Sequence, residues 1–519
     1  MSRRLSTRKQ KCKAIKHARR INRQKKVEKK RIRNALNSAE KLKSEAKKRR
    51  ESNKKKKIAK KAERARQQAK QISLFFNEVT LELMAKACGF LIKKSKLSPL
   101  YFLSTLVFSY FSMGDISLIL MAANLSDWFG ISASAQAISE RLRKKSTVNF
   151  FKNCLSLSLE KKLKPISDSK YKQHLSIFKG IKVGDSTSIE LSESLSKPFK
   201  GSGGAASKSA LKLNFVYDIY NNLTTVIDIK RGSRSDKKLV NGAVRCIKKG
   251  ELLIRDLGYF SIDIFKKITK KKAFYISRLL KMVNISLNPT GDPVEIGEFL
   301  KKATRNGRNI VDQQVFIGYE KLPARLIAFK TPKWVVKQRI KKFKASHKKE
   351  PSEEYVVWCG YSVFITNVGI DMCSAELIVE LYTIRWQIEL LFKSFKSTLK
   401  LDVIRGTSRN SVLCIVYAKL IGIILAEKVI SFAAGICAEN DRELSVDKAI
   451  KWLKVNNKFV EALLNQEMDQ LLLRLILYQQ KYICKDKRKK DLSTQEKVLS
   501  VLQDNKTSFL HKQKKQKAA

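Results

Sequence analysis

Between Phe178 and Ile276 the chain passes through GIKVGDSTSIEL, LNFVYDIY, TTVIDIK, ELLIRDLGYF and AFYISRLL, five short runs rich in β-branched and aromatic residues. Runs of this length and make-up read as strands, and Asn221-Asn222 supplies a turn between the second and third. A three-stranded meander followed by a helix and further strands specifies an α/β arrangement with one core sheet, which the flanking segments must cover. Acids inside or at the ends of such apolar strands are costly unless they are paired or bind metal. Asp185, Asp218, Asp228 and Asp256 all stand there, so position alone does not choose among them.

Around this sheet the composition changes in steps. Residues 1–70 hold 31 Lys and Arg against 5 Asp and Glu, a net of +26, with almost no large apolar residues. They form an extension that is loose or helical, since Ala, Glu, Lys, Arg and Gln favour helix. Residues 71–150 read as a helical DNA-binding region, in which Ser134 caps SAQAISERLRKK. Ala137, Ile138 and Leu142 supply the inner face of that helix, while Gln136, Arg141 and Lys144 are available to face DNA. Residues 151–280 are the first part of the core. Residues 281–370, with the short apolar runs VFIGYE, ARLIAF and KWVVKQRI, read as a β-rich insertion, and residues 371–440 complete the core. A helical region with a basic tail occupies 441–519, and its helical part, about 441 to 500, is the expected contact between copies.

The 519 residues carry 108 Lys and Arg against 46 Asp and Glu, a formal charge of +62. Such an excess excludes a neutral metabolic enzyme as the default and calls for a polyanion, with nucleic acid first. A membrane is the weaker partner: the longest apolar stretch, Leu413 to Cys437, is broken by Lys419, Glu427 and Lys428, short of the ~20 uncharged residues of a span. It reads as a buried helix. The basic amino terminus has no apolar segment after it, so no secretory signal is expected and the protein is placed in the cytoplasm, associated with the nucleoid. Nine cysteines without a C-x-x-C pair and four dispersed histidines indicate neither a disulfide framework nor a zinc site.

The most informative segment is LYTIRWQIELLFKSFKSTLK, residues 381–400. As one helix at about 100° per residue, it gathers Tyr382, Arg385, Glu389, Lys393, Lys396 and Lys400 within an arc of about 80°. Ile384, Ile388, Leu391, Phe392, Phe395 and Leu399 fill the other side. A salt-bridged surface helix also places Arg385, Glu389 and Lys393 together. One acid among so many cations suits instead a phosphate track with a metal-binding carboxylate in it.

These residues resemble the signature Y-x2-R-x3-E-x6-K of the insertion-sequence-four group of DDE transposases, with Tyr382, Arg385, Glu389 and Lys396 in register. Asp185-Ser186-Thr187 resembles the context of that family's first acid, and Asp256-Leu257-Gly258-Tyr259 that of its second. The 133-residue interval from Asp256 to Glu389 suits the β-rich insertion found there in the group. The resemblance covers about residues 130 to 440 and leaves the basic extension unexplained.

The family implies a ribonuclease-H-like mixed sheet flanked by helices. It implies that Asp185, Asp256 and Glu389 hold two Mg²⁺ ions, with Mn²⁺ as a substitute, for in-line phosphoryl transfer. Water would first cut the element end, and the freed 3′-hydroxyl would then attack target DNA. Tyr382, Arg385 and Lys396 are implied to contact the DNA backbone beside the cut. Lys393 and Lys400 extend that track, and Trp334 in the insertion offers a platform for an unstacked base. Pairing two element ends requires self-association on DNA. The competing reading is an inactive or repurposed DNA-binding protein that recognises terminal repeats. The loop GSGGAASKS, residues 201–209, has Ser207 where a phosphate-binding loop needs glycine, so it is read as a flexible loop near the first acid.

Overall fold

The computed structural model describes residues 29, 47–49, 51–53, 55–70, 72–93, 96–160, 177–203, 207–221, 223–235, 240–439, 442–455, 458–465, 467–475 and 480–485. The chain divides into two units, Met1–Arg66 and Gln67–Ala519. In the first, residues 47–49, 51–53 and 55–66 are helical. The loop residues 204–206, the turn residue Asn222 and the basic tail after residue 485 lie outside the described residues.

Between Glu78 and Glu160 the second unit forms the helices α1 (Glu78–Ala87), α2 (Pro99–Met113), α3 (Leu118–Phe129), α4 (Ala135–Arg143) and α5 (Lys145–Glu160). Hydroxyl caps start three of them, with Ser98, Ser117 and Ser134 each accepting from a backbone N–H of the first turn. On α4, Ile138 and Leu142 are buried, whereas Ala137 is exposed.

The core then forms from β1 (Gly180–Glu190), β2 (Ala210–Asp218), β3 (Leu223–Arg231), α6 (Val240–Cys246), β4 (Glu251–Arg255), α7 (Ile262–Lys270) and β5 (Phe274–Arg278). β1 pairs antiparallel with β2 and parallel with β4, and β4 is parallel to β5, giving the order β3-β2-β1-β4-β5 of a ribonuclease-H-like sheet. The centre of this sheet is buried on both faces: Leu252, Leu253 and Ile254 form a continuous apolar run in β4, and in β1 Lys182 is buried between Ile181 and Val183 with its charge paired to Glu251.

The stretch between the second acid and the third contributes β6 (Ile285–Ser286), α8 (Ile296–Ala303), β7 (Ile310–Ile317), β8 (Leu322–Lys330), α9 (Lys333–His347), α10 (Glu353–Cys359) and β9 (Tyr361–Thr366). Its strands extend the core sheet itself: β9 pairs antiparallel with β5, so nine strands run β3-β2-β1-β4-β5-β9-β8-β7-β6. One apolar cluster joins Phe265 and Tyr275 of the core to Leu326, Val363 and Ile365 of the added strands. The KWVVKQRI run, expected as one of the apolar runs of this segment, is helical in α9. That helix buries none of its residues, so Lys, Gln and Arg propensity prevails where no sheet neighbour competes for its two valines.

After β9 come α11 (Ala375–Thr383), α12 (Trp386–Ser397) and the 31-residue α13 (Arg409–Glu439), followed by α14 (Val446–Lys454), α15 (Lys458–Leu464), α16 (Met468–Arg474) and α17 (Gln480–Ile483). By length and composition α13 passes as a membrane-crossing helix, with 83% of its most apolar window buried by the rest of the chain. Its charges are satisfied there. Lys419 Nζ donates to the carbonyls of Gly114, Lys400 and Val403 at 2.6, 2.6 and 2.7 Å, and Glu427 accepts from the Thr224 N–H and hydroxyl, both at 2.8 Å. Burying such groups is tolerable only with partners of this kind.

Candidate active site

Strand register brings the first two acids together. Gly184 of β1 lies beside Arg255 of β4 in the parallel pair, so Asp185 and Asp256, the next residue on each chain, leave the ends of neighbouring strands side by side. β4 stops there because Leu257–Tyr259 turns into a short 3-10 helix. Across β1, Asp185 is paired with Phe215 of β2. Directly opposed residues share a face, and Phe215 packs on Phe392 and Phe395 of α12 with ring centroids 5.2 and 6.2 Å apart. That aromatic contact docks α12 over the strand carrying Asp185 and delivers Glu389, in the first turn of α12, to the same place.

Residues 381–400 are not one continuous helix. α11 ends at Thr383 and α12 starts at Trp386, and the joint is made of tight bonds to the third residue back. Arg385 N donates to the Tyr382 carbonyl at 3.1 Å and Ile388 N to that of Arg385 at 3.2 Å. The inner face is as the periodicity requires: Ile384, Ile388, Leu391, Phe392, Phe395 and Leu399 are all buried.

The joint places Arg385 at the centre of the acids. Its guanidinium lies 2.5 Å from Glu389 Oε1, 3.7 Å from Asp185 Oδ2 and 3.9 Å from Asp256 Oδ1. The Tyr382 hydroxyl donates to Asp256 Oδ1 at 3.3 Å, and the Ser186 N–H donates to Asp185 Oδ1 at 2.7 Å. Burial raises the Asp185 carboxyl to about 6; the Ser186 N–H and Arg385 pull it down, while Asp256 and Glu389 push it further up. Burial and the neighbouring Asp256 raise the Tyr382 phenol to about 12. Burial disfavours the Arg385 charge, but the hydrogen bond to Glu389 with the Tyr382 and Asp256 charges outweighs it, and the pKa is raised.

Three carboxylates facing one guanidinium leave a formal excess of two negative charges. An all-oxygen donor set with that excess fits a hard divalent cation. Among the described residues no three such side chains stand close enough to cage an ion as they are; the guanidinium stands between them.

The remaining expected residues are spread along and beyond this helix. Lys393 and Lys400 are exposed, while Lys396 Nζ donates to the Ser188 carbonyl of β1 at 2.9 Å. Trp334 is exposed on α9. Arg141 turns inward: it donates to the Leu97 carbonyl at 3.2 Å and lies over the Phe90 and Phe102 rings, so its guanidinium stabilises the helical region. The two other strand acids are taken up by structure. Asp218 accepts from the Tyr220 and Asn221 backbone in the turn after β2, and Asp228 lies beside Asn214 and Arg245.

Sequence reasoning missed Arg255. It is buried beneath the site, donates to Asn214 Oδ1 at 2.7 Å and lies 3.7 Å over the Tyr259 ring. Gly184 makes room for it, since a Cβ there would meet Arg255 Nε at 2.6 Å. A glycine within an apolar strand is a signal of such close approach.

Residues 178–425 match a family model described as a transposase DDE domain. The chain is 28% identical over 437 residues to the transposase for insertion sequence element IS231F of Bacillus thuringiensis subsp. israelensis, covering 80% of this chain and 91% of the relative. It is 26% identical over 406 residues to the transposase for insertion sequence element IS1151 of Clostridium perfringens, covering 75% and 85%. Among solved structures, the piggyBac transposase synaptic complex with hairpin DNA aligns with a TM-score of 0.42 and 11% identity, over 82% of this chain and 87% of that one.

Proposed function

Because the chain belongs to the DDE transposases of the insertion-sequence-four type, we propose that it cuts the ends of its own insertion element and joins the freed 3′-hydroxyls to target DNA at Asp185, Asp256 and Glu389. The convergence of these three carboxylates on Arg385, from two strands and a helix, carries the reading.

Asp185, Asp256 and Glu389 would hold the divalent ions, Mg²⁺ with Mn²⁺ as a substitute. When bound, such ions supply Lewis acidity that activates the attacking oxygen and stabilises the leaving one. The chain's own residues bind and orient. Arg385, released from the carboxylates, is placed to pair with the phosphate next to the cut, where its fork suits two oxygens. Tyr382 keeps Asp256 oriented through its hydroxyl. Lys393, Lys396 and Lys400 continue the cationic edge along α12 and its end, and Trp334 offers an aromatic surface to an unstacked base. Two copies would pair on the element ends. Attack by water breaks one phosphodiester into a 3′-hydroxyl and a 5′-phosphate, and strand transfer then exchanges one phosphodiester for another, so no energy cofactor enters.

The test is cleavage of duplex DNA carrying the element's terminal repeats. Asp185→Ala, Asp256→Ala and Glu389→Ala are each expected to abolish Mg²⁺-dependent cutting while leaving DNA binding in place. A variant that cuts at the wild-type rate overturns the assignment of that residue.

A further inference from the structure

Away from the three acids, the second unit carries two adjoining clefts lined by cations. One, of 510 Å³, is lined by Arg143, Thr407, Ser408, Arg409 and Asn410. The other, of 300 Å³, includes Lys230, Arg231, Arg234 and Arg409 in its wall, so Arg409 is common to both. Among the described residues no acidic one lines either cleft. Among the described residues none of these five cations is in an ion pair, and all five are exposed.

The backbone holds this cluster in place. Asn410 Nδ2 donates to the Arg143 carbonyl at 2.7 Å, tying the end of α4 to the start of α13. Ser408 and Ser411 cap that start reciprocally. The turn after β3 is fixed by Gly232 N to the Ala210 carbonyl at 2.6 Å and Ser233 N to the Lys200 carbonyl at 2.9 Å. Keeping five unpaired cations together costs repulsion in the free protein, which a polyanion in the cleft removes.

We infer that these clefts form a second DNA-backbone site, which grips the duplex flanking the cut by its phosphates. The inference rests on the transposase reading for the identity of the polyanion. Its position fits. Arg231 is paired through Leu211 of β2 with Ile189 of β1, four residues beyond Asp185. At about 3.3 Å per residue and 4.8 Å per strand, two strands over, Arg231 stands roughly 16 Å from Asp185 within the sheet. That equals about five base pairs of duplex. Lys396 at Ser188 lies on the way. The site also gives a role to the end of α4, whose Arg141 is turned inward while Arg143 is not.

The test uses the full chain in EDTA, which separates binding from the chemistry of the acids. Affinity for a random-sequence duplex of 40 base pairs is measured against salt for wild type and for Arg143→Ala/Arg231→Ala/Arg409→Ala, with Lys267→Ala/Lys270→Ala/Lys302→Ala as a charge-matched control. At about 0.9 per phosphate contact, the triple variant is expected to lower the salt slope by roughly 2.7 and to weaken binding about tenfold or more, with the control nearly unchanged. An unchanged slope and affinity in a variant with wild-type circular dichroism overturns the inference. So does an equal loss in the control, or a loss confined to polyglutamate, which would mark the cleft as a site for an acidic protein.

Discussion

Arg385 Nη1, at the cap of α12, lies 2.5 Å from Glu389 Oε1 one turn further along that helix, and the same nitrogen is 3.7 Å from Asp185 Oδ2. One guanidinium thus takes the position in which a cation must compensate three carboxylates.

Arginine and a divalent ion therefore compete for the same charge. Arg385→Ala is expected to bind Mn²⁺ about tenfold or more tightly than wild type, since roughly 1.4 kcal/mol of lost competition gives that factor. In EDTA at pH 8 the variant should melt at a lower temperature, because the acids then repel one another uncompensated. Calorimetric titration with Mn²⁺ and thermal melts in EDTA check both; equal Mn²⁺ affinity in the two proteins counts against the competition.

Arg325 ties the added strands to the helices of the site. It is buried, forms a two-point pair with Asp312 at 2.7 and 2.6 Å, and donates to the carbonyls of Val368, Gly369 and Cys373 just before α11. Asp312→Ala leaves that cation unpaired and is expected to cost about 3 to 5 kcal/mol in denaturant unfolding, whereas Arg325→Met/Asp312→Val should recover much of the loss.

Glu427 predicts a pH signature. Burial raises its carboxyl to about 7 from an ordinary 4.5, against the opposing Thr224 hydrogen bonds and the Lys428 charge. Between those values the folded state holds more protons than the unfolded one, so this group's contribution to stability falls as pH rises from 4.5 to 7. Glu427→Gln removes the titration. The stability of wild type minus that of the variant should drop by up to about 3 kcal/mol across this window, read by urea unfolding at successive pH values; a flat difference would exclude the shift.

Gly184→Ala tests the close approach of Arg255. The new methyl would meet Arg255 Nε at 2.6 Å and push the guanidinium off Tyr259 and Asn214. A cost of about 1 to 3 kcal/mol is expected, as for other overpacked sites. In an Arg255→Met background the cost should shrink, because the flexible thioether gives way.

The core face of residues 381–400 could be read directly, because its apolar residues recur at helical spacing and burial follows that pattern whatever lies opposite. Position in the strands left Asp185, Asp218, Asp228 and Asp256 equal; the family resemblance alone singled out Asp185 and Asp256, through the small hydroxylated residues after the first and the glycine-aromatic pair after the second. The joint at Ile384 and Arg385 was not, since no proline or glycine marks it and the residues on both sides favour helix. Nor was the helical state of KWVVKQRI, where a short apolar run suits strand and helix equally until its neighbours are known.

By itself the sequence determined the charge, the strand and helix periods, and the residue types that chemistry at a phosphate requires, because these depend on residues near one another in the chain. Only the tertiary structure decided which acids meet. Asp218 and Asp228 stand in strands as Asp185 does, but a turn and a neighbouring amide take them up, whereas strand register sets Asp185 beside Asp256 and the packing of Phe215 on Phe392 and Phe395 brings in Glu389. Coulombic coupling among groups 133 residues apart depends on distance in space, and folding alone fixes that distance.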